Sequence, residues 1–483
     1  MSPLSILTRV QLQDRIRGCL IGSAVGDAYG LATEFMSTQD ATKHYGNGPI
    51  AFGHEPGYPV WEDSHRLESD RNDFTDDTDQ MLVILQSLNQ TGDGKLHPIN
   101  LAKRLLEWRD YGIPEIGTDP GRGLGYTVGS VLNHPKFQLN PHGAAFDVWD
   151  SAGRDLAPNG AVMRTAVIGI ESFWDESRVV ENSMAAAKVT HSDPRSVVSA
   201  LISSVLISRL LRGAGVDEAH DNAQIWNPKL KDPEYRQMLV TYLDRGSDLQ
   251  GSQSKNPSYD AENPRNRFQH KDYEFLKLKF AAEGTRHKYH ESSVADENRP
   301  EVVLRSDIGW AGIDHVGEDK VMGSLARSVL ADYKFLIQET DLTPPPRQLG
   351  QRVQDSWAEE LDTHCFPQNI WQLQLGDHHK MGYALKCVGI AYYGVTRRED
   401  PSPTLTEYGG PSGLFRGLME QVTLQGGDAD TNGIVLGSLL GARFGLENGV
   451  PRGWWTGLQH LDWLNEVIDS YAERVLASYD SQQ

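Results

Sequence analysis

An all-α fold is predicted by three features of the sequence. Apolar residues recur at helical spacing in most recognisable segments, and two ladders of glycine repeat every four residues. Long alternating runs closed by Asn-Gly or Asp-Gly turns are hard to find. From Met81 the apolar positions Met81, Leu82, Leu85 and Leu88 fall on one helical face. Segments at 185–187, 197–211, 384–393 and 461–476 read the same way, as does one near 329–337. Between about Gly213 and Val302 the chain turns polar and rich in loop formers, with two short helical candidates near 235–242 and 273–282. Too few apolar residues lie there for a separate core. The expectation is one domain over 1–483 carrying a polar insertion at 213–302, with a further Pro-rich loop at Pro344-Pro345-Pro346-Arg347.

The first ladder is Gly18, Gly22, Gly26 and Gly30; the second is Gly433, Gly437, Gly441 and Gly445. A spacing of four keeps each set on one face of a helix. Glycine inside a helix costs up to ~1 kcal/mol relative to alanine, so a compensating contact is required. Close approach of another helix backbone, or of a ligand, is the physical reason to remove a row of Cβ atoms. Both helices are therefore expected deep in one bundle, beside a shared site.

Composition narrows the function. Over 483 residues, 46 Lys+Arg against 66 Asp+Glu give a formal charge of −20. Such a surface repels phosphate backbones and anionic membranes, so a general nucleic-acid binder is not expected, whereas a phosphorylated ligand in a pocket is compatible. Cys19, Cys365 and Cys387 offer neither a disulfide framework nor zinc spacing. No signal peptide is read at the N-terminus and no membrane span is expected. The expectation is an intracellular protein, cytoplasmic or nuclear, and a monomer. Gly121, Gly123 and Gly125 lack the preceding strand of a dinucleotide turn.

Two acidic segments carry the chemistry. Thr75-Asp76-Asp77-Thr78-Asp79 opens the Met81 helix, and Asp428-Ala429-Asp430-Thr431-Asn432 runs into the second ladder. Helix capping explains one or two such residues. It does not explain adjacent carboxylates, whose repulsion is relieved by a cation. Thr75, Asp76 and Asp77 offer hard oxygen donors; Asp428 and Asp430 share a side if their segment is extended, and Thr431 adds a hydroxyl. An oxygen-only set favours Mg²⁺, with Mn²⁺ or Ca²⁺ as alternatives, over zinc, and four carboxylates suffice for two ions. Glu34 is a fifth acid, four residues after Gly30.

These residues resemble the motifs of the ADP-ribosylglycohydrolase family. The segment from Gly18 to Glu34 is similar to its opening motif, and Phe74–Met81 to its first metal motif. Gly426–Asn432, followed by Gly437, Gly441, Arg443 and Gly445, resembles its C-terminal metal motif. Arg122–Gly125, Asn159–Arg164, Thr190–Pro194 and Gly382–Cys387 match intermediate motifs in order, so the resemblance spans about 15–470 outside the insertion. It implies an orthogonal helical bundle with a binuclear magnesium site held by Thr75, Asp76, Asp77, Asp428, Asp430 and Thr431. It further implies that Glu34, as a mobile acid, and the metal-bound aspartates Asp76 and Asp77 are catalytic. Gly123, Gly125, Asn159, Gly160, Ala161, Met163 and His191 would line the pocket for an ADP-ribose-containing substrate, protein-linked or small. The expected reaction is hydrolysis at the anomeric carbon of the distal ribose. A non-catalytic ADP-ribose binder on the same fold and a metal-dependent phosphohydrolase are the alternatives. Ala157-Pro158 stands where many members have a glycine before Asn159-Gly160, which, with the insertion, leaves the leaving group open.

Overall fold

The computed structural model describes residues 5–244, 318–342, 356–398 and 410–482. Among these the chain is helical, with isolated bridge pairs and no sheet. The first half contains α1 (Arg9–Gly30), α2 (Thr38–Tyr45), α3 (Asp76–Thr91), α4 (Pro98–Tyr111), α5 (Tyr126–Leu132) and α6 (Pro141–Ser151). It continues with α7 (Ala166–Ile170), α8 (Glu176–Lys188), α9 (Pro194–Leu211), α10 (Glu218–Ala223) and α11 (Pro233–Asp244). Next come α12 (Lys320–Tyr333), α13 (Phe335–Glu339), α14 (Trp357–Cys365), α15 (Ala384–Val395) and α16 (Gly410–Thr423). The C-terminal part holds α17 (Ala429–Phe444), α18 (Leu446–Gly449), α19 (Arg452–Trp455) and α20 (Leu461–Asp480).

The glycine ladders are the axis of the bundle. A Cβ built on Gly22 would stand 2.5 Å from the Gly437 carbonyl oxygen, and one on Gly18 2.7 Å from that of Gly441. Gly26 meets Gly433 and Gly30 meets Ala429 closer still. Residue numbers rise on one helix as they fall on the other, so α1 and α17 run antiparallel with backbone against backbone. Close helix approach is thus what offsets the glycine cost. One rung differs from the sequence expectation: Gly445 lies past the end of α17, with φ +83°, where it closes the helix in a conformation that glycine tolerates.

Around this pair, α9 is buried over its whole length. It is long and apolar enough to cross a membrane by length and composition, yet its full span lies inside the protein. Arg209 on α9 donates to Glu176 at 2.7 and 2.8 Å, and the Tyr333 hydroxyl donates to the same carboxylate at 2.7 Å, tying α8, α9 and α12 together. The described part of the 213–302 stretch does more than loop. Its α11 contains the candidate helix 235–242, and Tyr235, Leu239, Val240, Tyr242 and Leu243 join the same apolar core. Lys188 fastens that helix by donating to the Tyr242 and Leu243 carbonyls at 2.6 and 2.7 Å. The candidate helix at 273–282 and the Pro344 loop lie outside the described residues.

Candidate metal and substrate site

The antiparallel ladders decide where the acids meet. Pairing Gly30 with Ala429 puts the end of α1 beside the start of α17, and Glu34 lies one turn beyond. One carboxylate oxygen each from Glu34, Asp428 and Asp430 lies within 4.8 Å of the others. The first metal motif is delivered by α3. Asp27, buried on α1, accepts from the Thr75 and Thr78 backbone N–H groups at 3.1 and 3.0 Å and from the Thr78 hydroxyl at 2.6 Å. It thereby satisfies orphan donors at the α3 N-terminus and sets that helix against α1. Thr75 is the α3 N-cap, its hydroxyl accepting from Asp77 N.

Two cross-links join segments more than 350 residues apart in sequence. The Thr431 hydroxyl donates to Asp77 Oδ2 at 2.7 Å, and the Thr75 hydroxyl to Asp430 Oδ2 at 3.4 Å. Capping accounts for Thr75 but not for Asp428, whose side chain makes no cap bond to α17 and accepts instead from Asn159 Nδ2 at 2.9 Å. The extended geometry expected of Asp428–Asp430 is not observed. Asp428 precedes the helix and Asp430 sits in its first turn, and helical winding still turns both toward Glu34.

The electrostatics of the cluster suit a cation. Burial, reinforced by neighbouring carboxylates, holds Asp76, Asp77 and Asp430 well above the ordinary carboxylate range. Burial also pushes Asp27 up to about 6 despite its hydrogen bonds. Asp430 Oδ1 is buried without a hydrogen-bond partner. Oxygen-only donors, like charges and an orphaned carboxylate oxygen together fit a hard divalent ion.

A buried guanidinium stands one residue back from Asp76. Arg164 donates to Gln80 Oε1 at 2.8 Å, and Gln80 donates to Asp76 Oδ2 at 2.8 Å. Burial lowers Arg164 to about 10, against the opposing pull of Asp76 and Asp77. Arg122 is spent on structure. It grips Asp79 through two bonds of 2.9 Å and Asp73 at 3.0 Å, which fixes the 121–125 loop on α3.

The other expected pocket residues divide. Gly123, at φ +67°, lies so close to the Asp76 carboxylate that a Cβ would fall 2.7 Å from its Cγ, so only glycine lets this loop cover the acids. A Cβ on Gly125 would meet nothing within 4 Å, leaving open space. Gly160 abuts the His191 ring, its Cβ position 3.2 Å from Nε2. His191 is buried, bonded through Nδ1 to Thr190 Oγ1 at 2.8 Å, with Nε2 unpartnered. Burial, then Arg164, holds it well below the usual histidine range, so the ring is neutral. Ala161 and Met163 belong to the apolar core and make no polar contact with the acids.

Glu34, expected to be mobile, has two contacts in this structure. Its carboxylate meets His65 Nε2 at 2.6 Å, and its carbonyl accepts from Arg66. Burial lowers His65, but the Glu34 hydrogen bond and charge outweigh it, and the net shift is upward. Asp27, His65, Arg66, Gln80 and Gly382 were not singled out as site residues from sequence. Asp27 left a signal, the one charged residue in the glycine-bearing second half of α1. Gly382 places its backbone against Asp428, and its carbonyl accepts from Asn159 N at 3.0 Å.

A profile of the ADP-ribosylglycohydrolase family matches residues 8–283 and 298–483. The chain belongs to this family. The match enters the 213–302 stretch, consistent with the contribution of α11 to the core. Among curated relatives, the ADP-ribosylarginine hydrolase Tri1 of Serratia proteamaculans is 23% identical over 45% of this chain and 53% of its own length. The human ADP-ribosylhydrolase ARH3 is 27% identical over 42% of this chain and 52% of its own length. The ADP-ribosyl-[dinitrogen reductase] glycohydrolase of Rhodospirillum rubrum is 24% identical over 45% and 65%. The chain thus spans between about half and two thirds of the length of these relatives.

Proposed function

We propose that the protein is a divalent-cation-dependent hydrolase that releases ADP-ribose from a conjugate by cleaving the bond at the anomeric carbon of the distal ribose. The observation that carries this reading is the buried, oxygen-only convergence of Thr75, Asp76 and Asp77 with Asp428, Asp430 and Thr431, beside Glu34. Family membership and the names of the relatives support the substrate class.

In this reading Thr75, Asp76, Asp77, Asp428, Asp430 and Thr431 hold two Mg²⁺ ions, with Mn²⁺ as the alternative. Bound there, the ions supply Lewis acidity and a fixed grip on a sugar diol. The protein's own residues do the rest. Gly123 and Gly125 let the backbone approach the diphosphate. Asn159 steadies Asp428 and borders the pocket. Gly160, Ala161, Met163 and neutral His191 complete its inner wall and exclude water. Glu34, held by His65, accepts the proton of the attacking water and passes it to the departing acceptor atom as the bond at the anomeric carbon breaks.

The test is release of free ADP-ribose from a panel of ADP-ribosylated arginine, serine, nucleic-acid ends and small ADP-ribose esters, with Mg²⁺ and with chelator. Chelator-sensitive release is expected. Thermal stabilisation by ADP-ribose without turnover of any substrate would instead make the protein a binder, and release of inorganic phosphate would make it a phosphohydrolase.

A further inference from the structure

On the Glu34 side of the carboxylates the surface changes character. Large apolar residues stand exposed there, Leu67 to 68%, Phe35 to 48% and Trp61 to 39%. Trp61 and Leu67 line a cavity of about 530 Å³ whose walls include Tyr29, Ile50 and Phe52. Arg66 also lines it. The same guanidinium donates to the carbonyls of Ala32 and Glu34, so cavity and acid cluster share one wall. Phe35 follows Glu34 directly, at φ +60°, its N–H bonded to the Gly427 carbonyl at 2.7 Å and its ring 5.0 Å from that of His65. A bulky residue in left-handed backbone is strained, yet here it holds an aromatic ring at the surface.

The charge of this face is set by groups without ion pairs. Glu55 is spent on Arg416 and Asp63 on Arg66. Of the charged residues lining the cavity, Glu62 and Asp70 make no ion pair among the described residues, nor does Glu68 beside Leu67, whereas Arg71 is the one lining cation left without one. An exposed apolar patch with a cavity marks a binding surface, and its acidic rim selects a basic partner.

Position identifies the partner. Gly123 abuts Asp76, and Asn159 and Gly382 abut Asp428, so the proposed ADP-ribose rim covers those sides of the cluster. Glu34, bonded to His65, stands at the wall that the cluster shares with the cavity, where the leaving group would emerge. We propose that this face receives the polypeptide carrying the ADP-ribosyl group, with an apolar side chain near the modified residue seated in the cavity and basic neighbours facing Glu62, Glu68 and Asp70. The inference rests on the hydrolase reading above and extends it from the sugar to the acceptor.

The test compares Leu67→Glu and Trp61→Ala with the Mg²⁺-loaded wild type on two substrates, a basic peptide bearing ADP-ribose and a small ADP-ribose ester without polypeptide. Both variants should raise KM for the peptide about tenfold, the scale of one lost buried apolar contact. Values of kcat, and all constants for the ester, should stay unchanged. Added salt should raise the wild-type peptide KM by a larger factor than the ester KM. Unchanged peptide KM in both variants, or equal losses on both substrates, overturns the proposal. So does a concentration-dependent dimer abolished by Leu67→Glu, which would give the face to a second copy. Leu67 is exposed, so its variant keeps the fold, and matched melting curves verify this. Ester hydrolysis without the peptide effect refutes the acceptor surface alone; hydrolysis of neither substrate removes the hydrolase reading and this inference with it.

Discussion

Substituting Gly22 by alanine probes the contact that organises the molecule. The new Cβ would stand 2.5 Å from the Gly437 carbonyl oxygen and 3.2 Å from its carbon, with Phe415 at 3.5 Å. Real Cβ atoms essentially never approach below 3.0 Å, and the obstacle is backbone, so one helix must move. Overpacking a core typically costs ~1–3 kcal/mol, occasionally more. Alanine returns up to ~1 kcal/mol of helix propensity. A rigid partner on a ladder with three further rungs places the cost at the high end, leaving a net loss of about 2 kcal/mol. Urea denaturation followed by circular dichroism reads this as a lower midpoint with unchanged slope. Gly125→Ala, whose Cβ meets nothing, is the control for folding. Because α1 and α17 also carry Glu34 and Asp430 to one place, Gly22→Ala should weaken Mg²⁺ binding as well. A Gly22→Ala protein as stable as the wild type would refute backbone contact between the ladders.

Removing Arg122 as alanine leaves buried Asp79 without its cation, and a loss of about 3–5 kcal/mol is expected in chemical denaturation. Without Mg²⁺, the folded protein keeps protons on Asp76, Asp77 and Asp430 that the unfolded chain has released. Its stability should therefore fall as pH rises above about 4. Saturating Mg²⁺ should flatten that fall, as urea midpoints at several pH values will show. Burial lowers Lys188 to about 7, so from there up to about pH 10 the unfolded chain holds the extra proton and stability should rise with pH. Lys188→Met, although less stable at every pH through the lost carbonyl bonds, should lose that rise; an unaltered slope would disprove the assignment.

Much of the fold was legible because helices are local. The 3.6-residue period of α3, α9, α15 and α20 and the four-residue glycine rows are one-dimensional signals, and the ladders even carried a long-range message, since absent Cβ atoms imply a close neighbour. The sequence did not show which neighbour. Antiparallel pairing of Gly22 with Gly437 is a tertiary fact, and the meeting of Glu34 with Asp430 follows from it. The acids of the two metal motifs were readable because adjacent carboxylates need a reason. Supporting residues were less so: Gln80 sits at helical spacing from Asp76, but nothing in the sequence marks Arg164 as its partner, and His65 reaches Glu34 across a separation that no spacing rule encodes. The contact of Arg66 with Glu34 escaped for the same cause. The core contribution of α11 was hidden by the polar composition around it, although its own Tyr235, Leu239 and Leu243 share a helical face.

The central claim is that Asp76, Asp77, Asp428 and Asp430 form a cage for hard divalent ions. Calorimetric titration of Mg²⁺ into chelator-stripped protein tests it most directly. Saturable binding of two ions is expected, with at least one lost in a folded Asp430→Asn variant. Absence of saturable binding to the wild type, or an unchanged isotherm in Asp430→Asn, would contradict it.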